Sequence, residues 1–309
     1  NLFMYRKVRF EYYQVVYKKS SDDSGDRDRL FDLVQWMDKA KKKSLEGRTY
    51  DYYEERARLE NAYWDDELEF YFLHFVRLRE RNIPSMAKTD KEVEPIELEE
   101  DEFIGEEVSA LYDEGNHVLM LQRNRYSLGP KGIEEYFNLL WDNDDEKIYL
   151  RPIAPPNIFD IAKNAKEYRR INIRFASLKT KTNKIFKSPL TKIINAFNDY
   201  EGVNAQISIT MGNVHKDSLK DETVKDTLID IEENPEYFSK AEIAKKDDED
   251  SKVELIDLVA HKAHDFGTFR IGKRETLNHY AIAEEMWRIY SPNEDCHNRQ
   301  SIINSYLQP

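Results

Sequence analysis

Apolar and polar positions along this chain follow two periods, and the places where the period changes mark its elements. Lys7–Lys18 is rich in Val, Phe and Tyr and predicts an opening strand, broken at Asp22-Asp23-Ser24-Gly25. Asp26 suits the N-cap of a helix with Leu30, Leu33, Val34 and Met37 on one face, Lys39, Lys41, Lys42 and Lys43 in its last turns and Gly47 past its end. Tyr50 to Arg81 predicts a hairpin turning near Trp64-Asp65-Asp66. Its second strand alternates Leu68, Phe70, Phe72, His74, Val76 and Leu78, which puts His74 on the core register as a hydrogen-bonded core histidine rather than a ligand. Two more strands are expected, Ile96–Ile104 and Glu107–Tyr112.

The next stretch changes period within a few residues. Val118–Leu121 has strand length and ends in Gln122, Arg123, Asn124 and Arg125, which are costly to bury without partners. Ser127-Leu128-Gly129-Pro130 makes a turn with proline at a helix start, and Ile133, Tyr136, Phe137, Leu140 and Trp141 continue at helical spacing. Free N–H groups at that helix start, with Lys131, Arg123 and Arg125 beside them, form a candidate site for a phosphate or carboxylate. The alternative is that the arginines pair with the acidic segment just upstream.

Lys147–Ile153 predicts a further strand, and Pro155-Pro156 is the strongest loop signal, so a boundary is placed there. Beyond it come a short helix at Asn157–Lys166, a strand at Arg170–Ser177 with Ile171, Ile173 and Phe175 inward, and a helix at Pro189–Tyr200. A strand at Ala205–Met211 and a helix opening at Ser218 follow. Tyr237–Lys246, Lys252–Val259 and Phe266–Ile271 read as strands, and two helices close the chain. The fold class expected is α+β: a strand-rich N-terminal region with flanking helices (residues 4–154), then a mixed-sheet α/β C-terminal region (155–309).

Composition narrows the class. The 309 residues are 40% hydrophobic and 35% charged, with 19 Tyr and 15 Phe, enough to build a core and exclude wholesale disorder. With Cys296 alone no intrachain disulfide forms, and a reducing cytoplasm is the expected compartment. Neither a signal peptide nor an apolar run of spanning length is found. Asn1-Leu2-Phe3 ahead of Met4 reads as an addition and is set aside. The net charge of −13 argues against uniform coating of nucleic acid, but its distribution matters more. Asp90–Asn116 holds 12 acidic residues and one basic, whereas Ala165–Lys220 has 11 basic against 4 acidic.

Catalytic signatures are absent. Gly129 and Gly132 lack the third glycine of a dinucleotide fingerprint or Walker loop, and no serine occupies a nucleophile elbow. Cys296-His297 follows a turn near the chain end. His261, His264 and Asp265 have metal-compatible side chains that share a face only in a helix, and Glu254 and Asp257 fall on opposite faces of a regular strand. A metal-dependent nuclease or toxin is therefore an alternative, with no metal or cofactor assigned. The usable chemistry is basic: Arg169, Arg170, Arg174, Lys179, Lys181, Lys184, Lys187 and Lys192, with Phe186 as a stacking residue, can follow a phosphate backbone. The bland reading is a solvated loop or a counter-charge for the acidic edge. A third reading makes the acidic segment Glu92–Glu107 an interaction surface for a basic partner or a nucleic-acid mimic.

The runs HVLMLQRNRYSLGPKGIEEYF, VELIDLVAHKAHDFGTFRI, ETLNHYAIAEEMWRIY, FVRLRERNIP and DEFIGEEVSALYD resemble a family of uncharacterised bacterial proteins from about Phe75 onward. Their layout is similar to that of the KwaB component of the Kiwa anti-phage defence system. That resemblance implies a cytoplasmic role in defence against phage, with a protein partner and nucleic acid as target; it assigns no catalytic residue. The combined expectation is a defence component without catalysis of its own that binds nucleic acid or a phage or host partner that processes nucleic acid, with Arg123, Arg125, Lys131, Arg169, Arg170, Arg174, Lys179, Lys181, Lys184 and Lys187 as the nucleic-acid-binding residues. Tyr12, Tyr13, Tyr52 and Tyr53 suggest a partner face and a homo-oligomer; the alternative is that each pair puts one residue on each strand face and is half core.

Overall fold

The computed structural model describes residues 3–23, 25–52, 55–176, 185–200, 204–214 and 217–307. They form two compact units: residues 1–153 together with 262–309, and an insert of residues 154–261.

The first unit begins with a 17-residue strand, β1 (Phe3–Lys19), and continues through β2 (Arg29–Leu30), α1 (Leu33–Lys41), β3 (Thr49–Tyr52), β4 (Glu55–Asp65) and β5 (Phe70–Arg79). A hairpin of β6 (Ser85–Lys88) and β7 (Lys91–Pro95) follows, then β8 (Ile104–Asp113), β9 (Val118–Gln122), α2 (Pro130–Trp141) and β10 (Glu146–Pro152). The strands pair antiparallel in the order β10-β1-β9-β8-β5-β4-β3, with β2 also on β1. Alternation along β1 sends Tyr13 and Val15 to one face and Val8, Phe10 and Tyr12 to the other. Helices α1 and α2 cover the first face. Trp36 packs edge-on to Phe137 at 4.8 Å, and its indole donates to the Phe137 carbonyl at 2.9 Å. Strand β3 pairs with β4 only as far as Arg58, and the Leu59 amide beyond it donates to the Tyr136 hydroxyl at 2.8 Å.

Helix α1 is capped by Asp32, not Asp26. Arg29 and Leu30 pair with Tyr17 and Val16, so the chain is still extended there, and the helix buries Leu33, Trp36, Met37 and Ala40 while Leu30 lies exposed. The two strands expected within Ile96–Tyr112 are one strand, β8, preceded by the β6–β7 hairpin.

The insert holds α3 (Ile158–Lys163), β11 (Glu167–Phe175), α4 (Leu190–Asn198), β12 (Gln206–Thr210), α5 (Asp221–Glu233), β13 (Phe238–Lys246) and β14 (Glu254–Asp257). Its sheet order is β12-β11-β13-β14, antiparallel in each pairing, where strand and helix alternation had suggested a mixed sheet. Ile171, Ile173 and Phe175 face a core shared with Leu190, Ile194, Leu228 and Ile231 from the helices. Buried Asp230 accepts from the amides of Lys187 at 2.9 Å and Ser188 at 2.8 Å, fixing the entry to α4.

The chain then returns to the first unit as β15 (His264–Gly272), α6 (His279–Tyr290) and α7 (Arg299–Tyr306). The expectation of one C-terminal domain over 155–309 is thereby corrected. On the side of β1 where β10 pairs with Tyr13–Lys19, Phe3–Glu11 would be left open, and β15 fills it. Helix α6 lays Ile282, Met286 and Tyr290 on the face of Phe10, Tyr12 and Phe72. The whole is α+β.

Candidate functional site

Alternation on β11 that sends its apolar residues to the core puts Arg170, Asn172 and Arg174 on the opposite face. Register places Thr210, Ser208 and Gln206 beside them on one flank and Ala244, Glu242 and Lys240 on the other. The side chains form a ladder. Gln206 Oε1 accepts from Arg174 Nε at 3.1 Å and Nη2 at 2.9 Å, Gln206 Nε2 donates to Asn172 Oδ1 at 3.2 Å, and Asn172 Nδ2 donates to Glu242 Oε2 at 3.2 Å. Lys240 Nζ lies 3.0 Å from Glu242 Oε1. Arg174 is held by a neutral amide, and among the described residues Arg170 has no carboxylate within ion-pair reach. Both guanidiniums keep their charge toward solvent.

The other basic candidates divide. Arg169, at the register shift beside Tyr168, donates to the carbonyls of Asp217 and Val214 and so anchors a loop. Lys187 lies 3.6 Å from Glu233 with both side chains exposed. Lys179, Lys181 and Lys184 lie outside the described residues. Asn172, Gln206 and Lys240 escaped the sequence reading. Asn172 shares the parity of Arg170 and Arg174 and was legible on that ground, whereas Lys240 depends on the β13 register.

Arg123, Arg125 and Lys131 sit in the first unit and each has a partner. Arg123 Nη1 lies 3.6 Å from Glu11 Oε2, and Glu11 also meets Arg9 Nε at 3.0 Å, Lys262 Nζ at 3.9 Å and the Tyr13 hydroxyl. Burial alone would raise the Glu11 pKa. The Tyr13 hydroxyl and the charges of Arg123, Arg9 and Lys262 outweigh it and hold the carboxyl below its ordinary 4.5. Arg125 stacks on Tyr126 at 4.5 Å, and Lys131 reaches Glu134 at 3.2 Å. Arg123 thus has an acidic partner, but it is Glu11 and not the segment just upstream.

The remaining candidates are also dispersed. His264 and Asp265 are adjacent on β15 and so point to opposite faces. Asp265 accepts from the Tyr12 hydroxyl at 2.7 Å and pairs with Arg299 at 2.8 Å. Tyr12 and Tyr13 are fully buried, which corrects their reading as a partner face; the side chains of Tyr52 and Tyr53 lie outside the described residues. Burial pushes the Cys296 thiol up, Asp295 adds to this and a Ser291 hydrogen bond opposes it, so the nucleophilic thiolate is disfavoured. His74 stacks on His279 with centroids 4.6 Å apart, and its Nε2 lies 2.6 Å from Glu107 Oε1. His279 is bonded to Ser109 Oγ and to Tyr63 Oη at 2.8 Å each. Burial, with His74 adding, pushes its pKa down to about 4, so it is a neutral imidazole near pH 7.

No helix among the described residues is long and apolar enough to cross a membrane. The chain belongs to the DUF6731 family, a family of unknown function, whose model matches residues 3–301. No curated protein matches it.

Proposed function

We propose that this protein binds nucleic acid through the open face of the insert sheet and has no catalysis of its own. One observation carries the reading. Strand β11 presents Arg170 and Arg174 on the face opposite its core, then runs directly into the segment containing Lys179, Lys181, Lys184 and Lys187. Guanidinium forks suit phosphate oxygens, and the amides of Asn172 and Gln206 offer donors and acceptors to sugars or base edges. Among the described residues the outward positions of β11 and its neighbours include no aromatic ring on which a base could stack, so phosphate contacts dominate the proposed interface. The setting we propose is cytoplasmic phage defence with a protein partner and self-association. Sedimentation showing only a 36.8 kDa monomer would remove the self-association.

The test is salt. With Arg170, Arg174 and the four lysines each neutralising a phosphate, log affinity should fall with log salt at a slope of about −5, and changing the four lysines to glutamine should flatten it by roughly 3 to 4. Thermal stability should stay nearly unchanged if these charges serve a ligand and not the fold. A variant that melts early, or binds as its parent does, sinks the reading. A second reading rests on the β6–β7 hairpin, whose nine strand residues are all exposed and whose chain continues into Glu97–Glu102. It predicts capture of a basic protein surface, abolished by changing Glu92, Glu94, Glu99 and Glu100 to glutamine, with no binding of DNA or RNA.

A further inference from the structure

The sheet of the first unit contains a notch. Strand β9 ends at Gln122 opposite Phe10 of β1, with Leu121 opposite Ala110 of β8, whereas β1 extends to Phe3 and β8 back to Ile104. Between residues 3–9 and 104–109 the ladder lacks one strand, a gap of roughly 10 Å at two strand spacings. The loop after β9 caps part of these edges. Asn124 Nδ2 donates to the Glu107 carbonyl at 2.8 Å, the Arg123 amide donates to the Arg9 carbonyl at 2.8 Å, and Gln122 Oε1 accepts from the Ser109 amide at 2.9 Å. The notch opens into a cavity of about 540 Å³, bounded by the turn after β15 and the first turn of α6.

Charge in this cavity is distributed unevenly. Arg6 occupies the β1 register of Val8 and Phe10, a core-facing parity, yet it is exposed at the cavity wall, and Lys273 and Arg274 line the turn. Among the described residues none of the three has a carboxylate within ion-pair reach. The carboxylates lining the same cavity are all engaged. Glu106 pairs with Arg79 at 2.9 Å, Glu107 Oε1 lies 2.6 Å from His74 Nε2, and Glu275 accepts from the Gly272 amide at 2.8 Å. His279, neutral and bonded on both ring nitrogens, adds no charge but closes the floor beside Ser109.

We propose that this cavity binds a small phosphate-bearing organic molecule of about mononucleotide size. Arg6 and Arg274 hold the phosphate, Lys273 adds charge at the rim, and Gln122 and Asn278 meet the polar body. The volume falls within the roughly 300–1,000 Å³ of small-molecule pockets, and a planar guanidinium fork matches phosphate oxygens better than a lysine ammonium does. The site is separate in residues and in test from the nucleic-acid face of the insert.

Calorimetric titration of the full chain with inorganic pyrophosphate and with adenosine 5′-monophosphate tests it. Both probes should bind, and the double variant Arg6→Gln/Arg274→Gln should weaken each at least tenfold, with unchanged circular dichroism because both side chains are exposed. Lys220→Gln in the insert, a cation of the same sign outside the cavity, should leave both affinities unchanged. Failure of both probes, parental affinity in the double variant, or equal weakening by Lys220→Gln overturns the proposal. Binding of pyrophosphate without the nucleotide overturns it in favour of an inorganic anion.

Discussion

The first unit packs helices on both faces of its sheet, whereas the insert packs its apolar side chains on one face and leaves a polar ladder on the other. Their charges differ accordingly. Inside the first unit Glu11 is met by three cations and a hydroxyl, Asp265 by Tyr12 and Arg299, and Asp113 by Tyr290 and Gln300. A charge removed from water must find partners, so those groups are committed to the fold. On the solvated ladder no such demand exists, and among the described residues neither Arg170 nor Arg174 has a carboxylate partner. The insert carries 17 Lys and Arg against 19 Asp and Glu, so most of the net −13 belongs to the first unit. The cavity at the notch is the exception, where cations without ion partners occur beside a two-faced core.

That contrast can be broken at several points. The largest effect is expected at Trp36→Ala, which empties the interface of α1 and α2 and should destabilise the first unit by about 3–5 kcal/mol. Amide exchange should then accelerate in β1 and β9 while β11 keeps its rate, since Trp36 belongs to a cluster with no insert residue. Equal acceleration in β11 would show that the two cores are one cooperative unit. Glu11→Gln should cost about 2 kcal/mol, because Arg9, Arg123 and Lys262 lose their carboxylate but stay partly solvated. The folded pKa of Glu11 lies below 4.5, so its contribution is complete above the unfolded value and is lost as pH falls through the folded one. Denaturant midpoints of parent and variant should therefore differ at pH 7 and converge in acid; a gap independent of pH would assign the loss to packing. Smallest, Asp32→Ala removes the side chain that accepts from the Val34 amide at 2.9 Å and should cost about 1 kcal/mol by chemical denaturation. Were Arg170→Ala to cost as much, the ladder would be structural and the comparison would fail.

Local periodicity was legible wherever one face of an element meets a core. Helix α2 begins at Pro130 and buries Ile133, Tyr136, Phe137 and Leu140, and β11 buries Ile171, Ile173 and Phe175, as their spacing indicates. The sequence pattern places the start of this helix at Asp26, six residues before the cap at Asp32, and so leaves Trp36 off its apolar face; the bridge of Arg29 and Leu30 to β1 that delays the helix has no local signature. The parity of Arg170 and Arg174 could be read from β11 alone; that Lys240 and Gln206 stand beside them required the register of two other strands.

By itself the sequence determined the type of most elements, the α+β class and the clustering of basic residues around β11, because propensity, capping and alternation act over neighbouring residues. Tertiary structure alone decided that β15 returns across roughly 250 residues to pair with β1, that Arg123 finds Glu11, and that β9 stops short and leaves a notch. Pairing between distant strands is selected by the burial of whole faces and by the room that other strands leave, and neither quantity is written in any one segment.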